Sequence, residues 1–285
     1  MKKNFSFLLL AVSFCFLLSC EKDRKASYNV MTFNIRLDFA ADSLNNWKYR
    51  KSDVAEMITF YSPDLLGMQE VLHNQLNDLC ESLPQYTALG VGRTDGKVVG
   101  EFNSVFYKTE RFDLMDSGTY SLSETPDVIG VKGWDADCER IVTWAILKDK
   151  LTGKQLAYFN THFDHIGEVA RRESALILTK RLPELAGKLP VIITGDFNTT
   201  PDSEPIALMK QDNNLFDSRE VAAIVYGPVW TFHNFGKTPI EKRPLIDYIF
   251  VSPGIEVNKY HSIKDTPDTG YLSDHNPVMV TIGVE

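Results

Sequence analysis

Apolar residues along the chain fall into short runs, and several runs end on a polar residue. The run "YNVMTFN" ends at Asn34, "PDLLGMQE" ends at Glu70, "QLAYFNTH" ends at His162, and "PVIITGDFN" ends with Asp196 and Asn198. Short apolar runs bounded by turn residues are typical of buried strands. The pattern therefore predicts a series of buried strands, each with a polar side chain at its carboxyl end.

Two later runs have the opposite order. "LIDYIFVS" carries Asp247 near its start, and "SDHNPVMVTI" carries Asp274 and His275 just before its apolar part. In a wholly parallel sheet, ligand-binding residues gather at the carboxyl ends of the strands. The polar residues of both groups can meet at one edge only if some strands run the other way, which predicts mixed or largely antiparallel sheets. The runs are too numerous for one sheet, so we expect two packed sheets.

Three segments have apolar residues at helical spacing. In "WKYRKSDVAEMITFY" the apolar stripe includes Val54 and Ile58, with Asn45 or Asn46 as a candidate N-cap. "LHNQLNDLCESL" and the longer "HIGEVARRESALILTKRLPEL" have the same spacing, and Pro183 should bend or end the longer helix. Helices on the outer faces would complete a four-layer α/β/β/α sandwich of two mostly antiparallel sheets. We therefore predict the α/β fold class.

The first 20 residues differ from the rest of the chain. "MKKNFSFLLLAVSFCFLLSC" combines a basic start, an apolar core from Phe5 to Leu18 and a small residue before Cys20. The core is shorter than the ~20 residues of a spanning helix, and these features are typical of a secretory signal peptide. The ending "LLSC" resembles a bacterial lipoprotein signal, which is cleaved before the cysteine that then carries lipid. The alternative is an ordinary signal peptide with a chance cysteine.

This signal sets the expected domain organisation. Residues 1–19 would be a lipoprotein signal peptide, residues 20–27 a polar tether, and residues 28–285 a single domain. The protein would be lipid-anchored at Cys20 in a bacterial cell envelope, outside the cytoplasm, either in the periplasm or on the surface. No Ser/Gly run, charge block or short repeat divides the remainder.

The charge balance narrows the choice of partners. The 285 residues are 44% hydrophobic and 24% charged, which is ordinary for a globular protein, and the formal net charge is −8. Nucleic-acid binding rests on neutralising phosphates with Lys and Arg, so this balance is a poor general scaffold for polyanions. A nucleic-acid substrate is still compatible with it, because a local basic patch or a metal can bind phosphate. No protein partner is evident.

Two cysteines lie outside the signal, Cys80 and Cys138. We expect buried free thiols, with a single disulfide as the alternative in an exported protein. Their spacing is not that of a zinc site. His162 and His165, in "THFDH", could form a zinc pair, but no third soft ligand lies near them in the sequence. Otherwise His162 would be a hydrogen-bonded structural histidine.

The polar residues at the ends and starts of the predicted strands form one chemical inventory. They are four carboxylates, two amides and two imidazoles: Asn34, Glu70, His162, Asp196, Asn198, Asp247, Asp274 and His275. Carboxylate and amide oxygens are hard ligands that suit Mg²⁺, with Mn²⁺ as an alternative. Imidazoles beside carboxylates act as general acids and bases at neutral pH. The inventory fits metal-assisted phosphoryl transfer to water.

Each of these residues also has a simpler explanation. Glu70 could be a solvent-facing charge at a helix N-terminus, and Asn34 could be a turn residue. Asp274 and His275 could form an ordinary turn, and Asp196 stands among Gly, Asn, Thr and Pro, the usual turn residues. Their joint occurrence in this order favours a common site over a series of unrelated turns.

The same segments resemble the motifs of a known superfamily. "MTFNIR", "GMQEV", "NTHFDH", "TGDFNTTPDS", "IDYIFVS" and "SDHNPV" occur in the order seen in the endonuclease/exonuclease/phosphatase superfamily, which has the DNase I-like fold. The resemblance spans roughly residues 28 to 283. The stretches "GVGRTDGKVVGEFNSVFY", "LSETPDVIGVKGWDADCERIVTWA" and "TFHNF" resemble one bacterial branch, generally described as metal-dependent hydrolases.

The resemblance implies a four-layer sandwich with a metal site at the top of both sheets. Glu70 would bind the essential Mg²⁺, Asn34 would lie beside it, and Asp274 would contact the metal or the nucleophile. Asp196 would orient or deprotonate the attacking water, or help to hold a second metal. Glu101, in "GEFNS", would support the metal region or the substrate.

The resemblance also implies which residues handle the phosphate. Asn198 would bind a phosphate oxygen, and His275 would contact the phosphate or act as a base. Asp247 would be the partner of one of the site histidines. His162 would stabilise the leaving group or an oxyanion. Arg140, in "CERIVTWA", would clamp the phosphate, with a surface ion pair as the alternative.

These observations support one leading function and two alternatives. The leading function is an exported, membrane-tethered, Mg²⁺-dependent hydrolase of phosphate esters, whose substrate is a nucleic acid, a nucleotide, a phospholipid head group or a phosphorylated small molecule. One alternative is a lipoprotein that binds a phosphorylated or sugar ligand without turnover. The other is a sphingomyelinase-like phospholipase, which would need an exposed apolar hairpin. "VYGPVW", around Tyr226 to Trp230, is the candidate for this hairpin, and a buried strand explains it equally well.

Overall fold

The computed structural model describes residues 25–211, 214–268 and 270–284. The predicted signal peptide, residues 1–19, and the predicted lipid attachment site, Cys20, lie outside these residues. Ala26 and Ser27, which the sequence assigns to the tether, instead begin the first strand. Among the described residues, no helix is both long enough and apolar enough to cross a membrane.

One of two sheets, sheet A, contains seven strands in the described part of the chain. They are β1 (Ala26–Asn34), β2 (Leu65–Val71), β3 (Tyr86–Leu89), β4 (Phe102–Lys108), β10 (Ile224–Tyr226), β12 (Ile255–Ser262) and β13 (Val278–Val284). Their order across the sheet is β10-β12-β13-β1-β2-β4-β3. The β1–β2 and β10–β12 pairs are parallel, and the other pairs are antiparallel.

The second sheet, sheet B, has six strands within the described residues. They are β5 (Phe112–Ser121), β6 (Ile141–Asp149), β7 (Gln155–His162), β8 (Val191–Asp196), β9 (Phe216–Asp217) and β11 (Asp247–Val251). Their order is β5-β6-β7-β8-β11-β9, with only the β7–β8 pair parallel among these strands. Both sheets are therefore mixed and largely antiparallel, as predicted.

Helices cover the outer faces of the two sheets. They are α1 (Trp47–Tyr61), α2 (His73–Ser82), α3 (Glu168–Ala186), α4 (Glu204–Met209) and α5 (Ser218–Val221), with short 3-10 helices at Ala40–Asn45 and Ile240–Lys242. Apolar residues of α1 and α2 pack on sheet A, and those of α3 and α4 pack on sheet B.

A third apolar cluster lies between the two sheets. Val30 of sheet A contributes to it, together with Tyr158 and Ile249 of sheet B. Met31, the neighbour of Val30, belongs instead to the cluster beneath α1 and α2. This division follows from the alternation of side chains along a strand. The four-layer α/β/β/α sandwich is confirmed.

Two local predictions about helix ends have different outcomes. Asn46 caps α1, since its side chain accepts a hydrogen bond from the backbone N–H of Lys48. Pro183 does not end α3, which continues to Ala186. The helix ends where Gly187 adopts a φ of +58°. Pro183 is therefore accommodated close to the end of the helix, where few hydrogen bonds remain to be broken.

The prediction that both cysteines are buried was wrong. Cys80 and Cys138 are free thiols, but Cys80 is exposed and Cys138 is only half-buried. Of the two explanations for "VYGPVW", the buried strand does not fit: the segment overlaps the edge strand β10, Tyr226 is 73% exposed and Val229 is 67% exposed. Trp230 at the end of this segment is buried.

Strand directions explain how the polar residues meet. In the parallel β7–β8 pair, His162 lies opposite Asp196. β11 runs antiparallel to β8, so that its first residue, Asp247, also pairs with Asp196. β13 runs antiparallel to β1, so that the loop preceding β13 lies near Asn34. The reversed order of the later runs therefore brings strand starts and strand ends to one edge.

Candidate active site

Asn34 links the two sheets at this edge. Its Nδ2 donates to Glu70 Oε1 and to Asp196 Oδ2, each at 3.0 Å. Its Oδ1 accepts from the backbone N–H of Arg36 at 3.0 Å. Asn34 is fully buried, and its amide connects a carboxylate of sheet A to one of sheet B. The explanation as an isolated turn residue does not fit this position.

Glu70 has an unusual backbone conformation. Its φ is +61°, and the pairing of β2 with β4 shifts register between Met68 and Val71. Its Oε2 accepts from the backbone N–H of Leu37 at 3.1 Å. A non-glycine residue with positive φ is uncommon, and such conformations cluster at functional sites. The carboxylate is held by Asn34 and Leu37, not directed freely into solvent.

The loop before β13 brings Asp274 to the same edge. Ser273 Oγ donates to the backbone carbonyl of Asn34 at 2.6 Å and lies 3.2 Å from Asp274 Oδ1. The Arg36 guanidinium lies near both acids, with Nη1 3.9 Å from Glu70 Oε2 and Nε 4.0 Å from Asp274 Oδ2. Burial is the largest effect on the Asp274 carboxyl and raises its pKa.

His275 lies between two buried carboxylates. Its Nδ1 is 2.8 Å from Asp247 Oδ2, and its Nε2 is 3.7 Å from Asp196 Oδ2. Burial lowers the pKa of His275, but Asp247 and Asp196 outweigh burial and raise it to about 10. Burial, reinforced by the charge of Asp247, raises the pKa of Asp196 to about 7. The pair therefore offers a proton acceptor near neutral pH and a protonated imidazole beside it.

His162 and Asn198 lie on the other side of Asp196. Asn198 Nδ2 is 2.9 Å from His162 Nε2 and donates to the backbone carbonyl of Phe163 at 3.0 Å. Burial, followed by the charge of Arg140, lowers the pKa of His162 well below its ordinary value, so the ring is neutral. Its Nδ1 is buried and has no hydrogen-bond partner among the described residues. Because Nε2 faces the Asn198 amide donor, the ring proton lies on Nδ1, and this buried N–H has no acceptor among the described residues.

Arg140 is buried, so a surface ion pair does not describe it. Its Nε donates to Asp164 Oδ2 at 3.2 Å, and its Nη2 lies 3.0 Å from His165 Nδ1. Its Nη1 is buried without a hydrogen-bond partner in the described part of the chain. An unpaired guanidinium N–H in this position suits an anionic ligand.

Arg93 forms an ion pair with Glu101 that the sequence did not point to. The two side chains meet through two contacts, of 2.7 and 2.8 Å. Burial raises the pKa of Glu101. The positive charge of Arg93 opposes this effect, and the negative charge of Glu70 adds to it. The charge of Arg93 also lowers the pKa of His162. The pair therefore belongs to the electrostatic surroundings of the site, beside the region that Glu101 was expected to support.

A buried polar layer lies beneath the site and was also missed. Thr32, Asn160 and Thr194 stand two positions before Asn34, His162 and Asp196, and so share their faces of the strands. Gln69 Nε2 donates to Thr32 Oγ1 at 3.0 Å and to Asn160 Oδ1 at 2.7 Å, and Thr194 Oγ1 donates to Asn160 Oδ1 at 3.0 Å. The layer ties sheet A to sheet B directly below the site residues. Its only sequence signal was a polar residue two positions before each of these three site residues.

The possible metal ligands at this edge suit a divalent cation. Four mostly buried carboxylates meet there, and within the described ranges only two cations lie within 4.0 Å of them. The carboxylates are those of Glu70, Asp196, Asp247 and Asp274; the cations are Arg36 and protonated His275. Asp247 Oδ1 is buried and, among the described residues, has no hydrogen-bond partner. This excess of buried negative charge on hard oxygen ligands suits Mg²⁺ or Mn²⁺.

Two positions at this edge offer ligands to a metal. The first is the predicted one, formed by Asn34, Glu70 and Asp274. In the second, ligand atoms of Asp196, Asp247 and His275 all lie within 4.8 Å of one another. The hydrogen bond between His275 and Asp247 makes the second group an acid–base pair as well as a candidate position for a second metal.

Replacing Asp247 by Asn should move both limbs of the pH profile of kcat/KM to lower pH. Deprotonation of Asp196 should set the acid limb near 7, and deprotonation of His275 the alkaline limb near 10. Asp247 raises both pKa values, so its removal lowers both. Asp217→Asn is the control and should leave the profile unchanged. Asp217 is a buried aspartate of β9, the strand that pairs with β11 on the side away from β8. A profile unaltered in Asp247→Asn would contradict this assignment.

Comparison with known proteins agrees with the geometry. Residues 31–275 match the model of the Endonuclease/Exonuclease/phosphatase family. The crystal structure of an endonuclease/exonuclease/phosphatase from Bacteroides vulgatus is 45% identical, with a TM-score of 0.89, over 92% of this chain and 100% of that one. The mannosyl-6-phosphatase of Bacteroides thetaiotaomicron is 38% identical, with a TM-score of 0.85, over 89% of this chain and 98% of that one.

More distant relatives share a smaller part of their length. The Drosophila melanogaster protein angel is 21% identical over 210 residues, which are 70% of this chain and 58% of that protein. In the curated relatives that the chain matches, the matched segment covers from 25% to 58% of the relative's length. These relatives are larger proteins that share this domain.

Proposed function

Because this chain belongs to the endonuclease/exonuclease/phosphatase family, whose members are phosphoric ester hydrolases, we propose that it is a Mg²⁺-dependent phosphatase of phosphorylated sugars. Hydrolysis of phosphate esters follows from the family. The Mg²⁺ ion, the sugar phosphate and a position outside the cytoplasm are our proposals.

The observation that carries the proposal is the convergence of three side-chain nitrogens on Asp196 Oδ2. Asn34 Nδ2 lies at 3.0 Å, His162 Nε2 at 3.5 Å and His275 Nε2 at 3.7 Å. With its pKa raised to about 7, Asp196 can accept a proton from water near neutral pH. A protein that only binds a ligand does not need such a proton acceptor, which disfavours the non-catalytic alternative.

The residues around Asp196 divide the work of hydrolysis. Asn34, Glu70 and Asp274 would hold Mg²⁺, which supplies charge stabilisation to the phosphoryl group. Asp196 orients the attacking water and accepts its proton. Protonated His275, held by Asp247, faces this proton acceptor and donates a hydrogen bond to the phosphate. The contact between His275 and Asp247 keeps the imidazole charged and fixes its orientation.

A second group of residues would bind the phosphate and the leaving group. Arg140 offers its unpaired Nη1 to a phosphate oxygen, and Asn198 binds another oxygen. Neutral His162 offers Nδ1–H to the leaving oxygen or to an oxyanion. Asp164 fixes Arg140 and the backbone carbonyl of Phe163 fixes Asn198 before substrate arrives, and preorganised donors stabilise developing charge most effectively.

Similarity to a sugar phosphatase supports the substrate class. The mannosyl-6-phosphatase of Bacteroides thetaiotaomicron matches this chain over 98% of its own length at 38% identity. A sugar phosphate is small, so its binding does not require the extended basic surface that a nucleic acid does. The net charge of −8 is compatible with such a substrate.

The proposed location rests on the N-terminal sequence. A basic start, a short apolar core and "LLSC" support export and lipid attachment at Cys20 in a bacterial cell envelope. An enzyme held there would release phosphate and free sugar outside the cytoplasm, where the products are available for uptake.

A substrate panel with controlled metal tests the proposed function. We expect EDTA to abolish turnover, Mg²⁺ to restore it, and kcat/KM for mannose 6-phosphate to exceed that for DNA, RNA, nucleotides and a generic phosphodiester by ~10² or more, because discrimination in a site built for one ligand reaches this size. The measurement is phosphate release for monoesters and product analysis for diesters. Preference for a diester would overturn only the proposal that the substrates are sugar phosphates. No turnover of any phosphoester with Mg²⁺ or Mn²⁺ would favour the binding alternative.

The exposed edge of sheet A keeps the phospholipase as a second candidate. Tyr226 and Val229 expose apolar surface of the kind that a membrane-contacting segment requires. Sphingomyelin in vesicles therefore belongs in the substrate panel. Turnover of sphingomyelin above that of sugar phosphates, lost in Tyr226→Ser, would favour this candidate.

A further inference from the structure

A second group of metal-binding side chains lies outside the proposed catalytic centre. Asp137, Cys138 and His165 each offer one ligand atom, and these three atoms lie within 4.8 Å of one another. Asp137 and Cys138 precede β6, whereas His165 follows β7. The sequence pointed to His165 as half of a zinc pair with His162, without a third soft ligand. In the structure His162 faces Asp196, and the soft ligand beside His165 is Cys138.

The distances within this cluster are close to those of a tetrahedral zinc site. Asp137 Oδ2 lies 3.8 Å from Cys138 Sγ and 3.9 Å from His165 Nε2. With zinc bonds of about 2.3 Å to sulfur and about 2.0 Å to nitrogen or oxygen, ligand atoms around the metal are about 3.3–3.5 Å apart. The ligand atoms would therefore have to move slightly closer together to bind zinc. The side chains of Asp137 and His165 are 60% and 47% exposed, which leaves them free to move in this way.

A single buried carboxylate holds both segments of the cluster. Asp164 Oδ2 accepts from the backbone N–H of Cys138 at 3.3 Å. Asp164 Oδ1 accepts from the backbone N–H groups of Ile166 and Gly167, the two residues directly after His165, at 3.0 and 2.7 Å. Asp164 itself is fully buried. The backbone positions of two ligands are therefore fixed relative to each other before a metal arrives.

We propose that Asp137, Cys138 and His165 form a Zn²⁺ site separate from the catalytic metal site. Thiolate, imidazole and carboxylate together are zinc ligands, whereas Mg²⁺ prefers oxygen ligands alone. On binding, the zinc–sulfur bond replaces the S–H bond of Cys138, and the proton goes to solvent. Water fills the fourth position, since the structure brings three protein ligands together.

Binding of zinc changes one hydrogen bond next to the catalytic centre. His165 Nδ1 now faces Arg140 Nη2 at 3.0 Å and accepts from it, which places the ring proton on Nε2. A metal at Nε2 moves that proton to Nδ1, so the contact with Arg140 is released. Arg140 keeps its contact with Asp164. The free energy of the three metal bonds must therefore outweigh the loss of this one hydrogen bond.

Cobalt spectroscopy tests the site without relying on activity. Co²⁺ substitutes for Zn²⁺, and a thiolate ligand gives a sulfur-to-cobalt charge-transfer band in the near ultraviolet. The residues of the catalytic site include no cysteine, so Co²⁺ bound there gives no such band. We expect one equivalent of Co²⁺ to produce the band in the purified full chain with Mg²⁺ in excess, and Zn²⁺ to remove it by displacement.

Matched variants assign the ligands. Cys138→Ser should lose the band, Cys80→Ser should keep it, and His165→Ala and Asp137→Asn should weaken Co²⁺ binding at least tenfold. Circular dichroism and melting temperature check the fold of each variant, and Cys138→Ala replaces Cys138→Ser if the latter does not fold. Absence of the band in the unmodified protein at saturating Co²⁺ overturns the proposal, as does its persistence in the folded Cys138 variant. Unchanged affinity in His165→Ala overturns the assigned ligand set.

Discussion

Asp196→Asn is expected to lower kcat by ~10² or more with little change in KM. The substitution keeps the size and position of the side chain but removes its ability to accept a proton. Asn198 donates its backbone N–H to Asp196 Oδ1 at 2.9 Å, and an asparagine oxygen can accept the same bond. Substrate binding by Arg140 and Asn198 should therefore persist, so the loss appears in the chemical step.

The same substitution is expected to raise the melting temperature of the metal-free protein at pH 8. The pKa of Asp196 is about 7 in the folded state and near 3.8 when unperturbed, so the unfolded state loses its proton first as pH rises. The free energy of unfolding therefore falls between about pH 4 and pH 7, and above pH 7 the buried carboxylate carries its full cost, on the order of a few kcal/mol. Asparagine carries no charge at any pH and avoids this cost, which exceeds the cost of losing the one hydrogen bond from Asn34 Nδ2 that the asparagine Nδ2 cannot accept.

Steady-state kinetics and thermal unfolding at two pH values check both effects. The gain in melting temperature should be several degrees at pH 8 in EDTA and less than half as large at pH 5, because the wild-type carboxyl is then largely protonated in the folded state. Mg²⁺ should stabilise the wild type more than the variant. Asp202→Asn, an exposed aspartate six residues along the chain, is the control and should change neither property. Unchanged kcat in Asp196→Asn rejects its role as proton acceptor.

Glu70→Gln is expected to reduce kcat/KM by ~10³ or more and to weaken Mg²⁺ binding strongly. A metal that stabilises phosphoryl charge contributes several kcal/mol, and this variant loses the ligand that holds it. Glu70 Oε1 and Oε2 each accept one hydrogen bond, from Asn34 and Leu37. A glutamine amide can replace only one of these acceptors, so the variant loses a metal ligand and part of the support for Asn34.

Titration calorimetry with Mg²⁺ and activity measured against Mg²⁺ concentration separate these effects. We expect the binding heat to disappear and the residual activity to require much higher Mg²⁺. Glu184→Gln, a carboxylate near the end of α3 with 52% exposure, is the matched control. If Glu70→Gln retains wild-type Mg²⁺ affinity, the metal ligand lies elsewhere, and Asp196, Asp247 and His275 are the group to test next.

Most of the fold was predictable because burial leaves a local signature in the sequence. The run "YNVMTFN" became β1 and "PVIITGDFN" became β8 with the turn that follows it. The opposite order of polar and apolar residues near Asp247 predicted an antiparallel strand, and β11 pairs with β8 in that way. Asn46 was recognisable as a cap because capping depends on residues close to it in the chain.

The predictions that were wrong or missing concern properties that depend on how the chain folds around a residue. Whether Cys80 and Cys138 are buried depends on which surfaces cover them, and apolar neighbours in the sequence do not show this. Arg93 carried no signal beyond its charge, because its partner Glu101 is brought close by the loop between them. Pro183 was expected to bend or end α3, but the helix continues for three more residues to Ala186, since a proline so close to the helix end leaves few hydrogen bonds to break.

For the site, the sequence by itself determined which residues stand at the ends and starts of strands. Tertiary structure decided how their side chains pair. The sequence left open which histidine Asp247 contacts; the structure places it 2.8 Å from His275 Nδ1, while His162 contacts Asn198. The reason is physical: strand position follows from local pattern, but hydrogen-bond partners depend on the register and packing of two sheets. The same packing brings Cys138 beside His165.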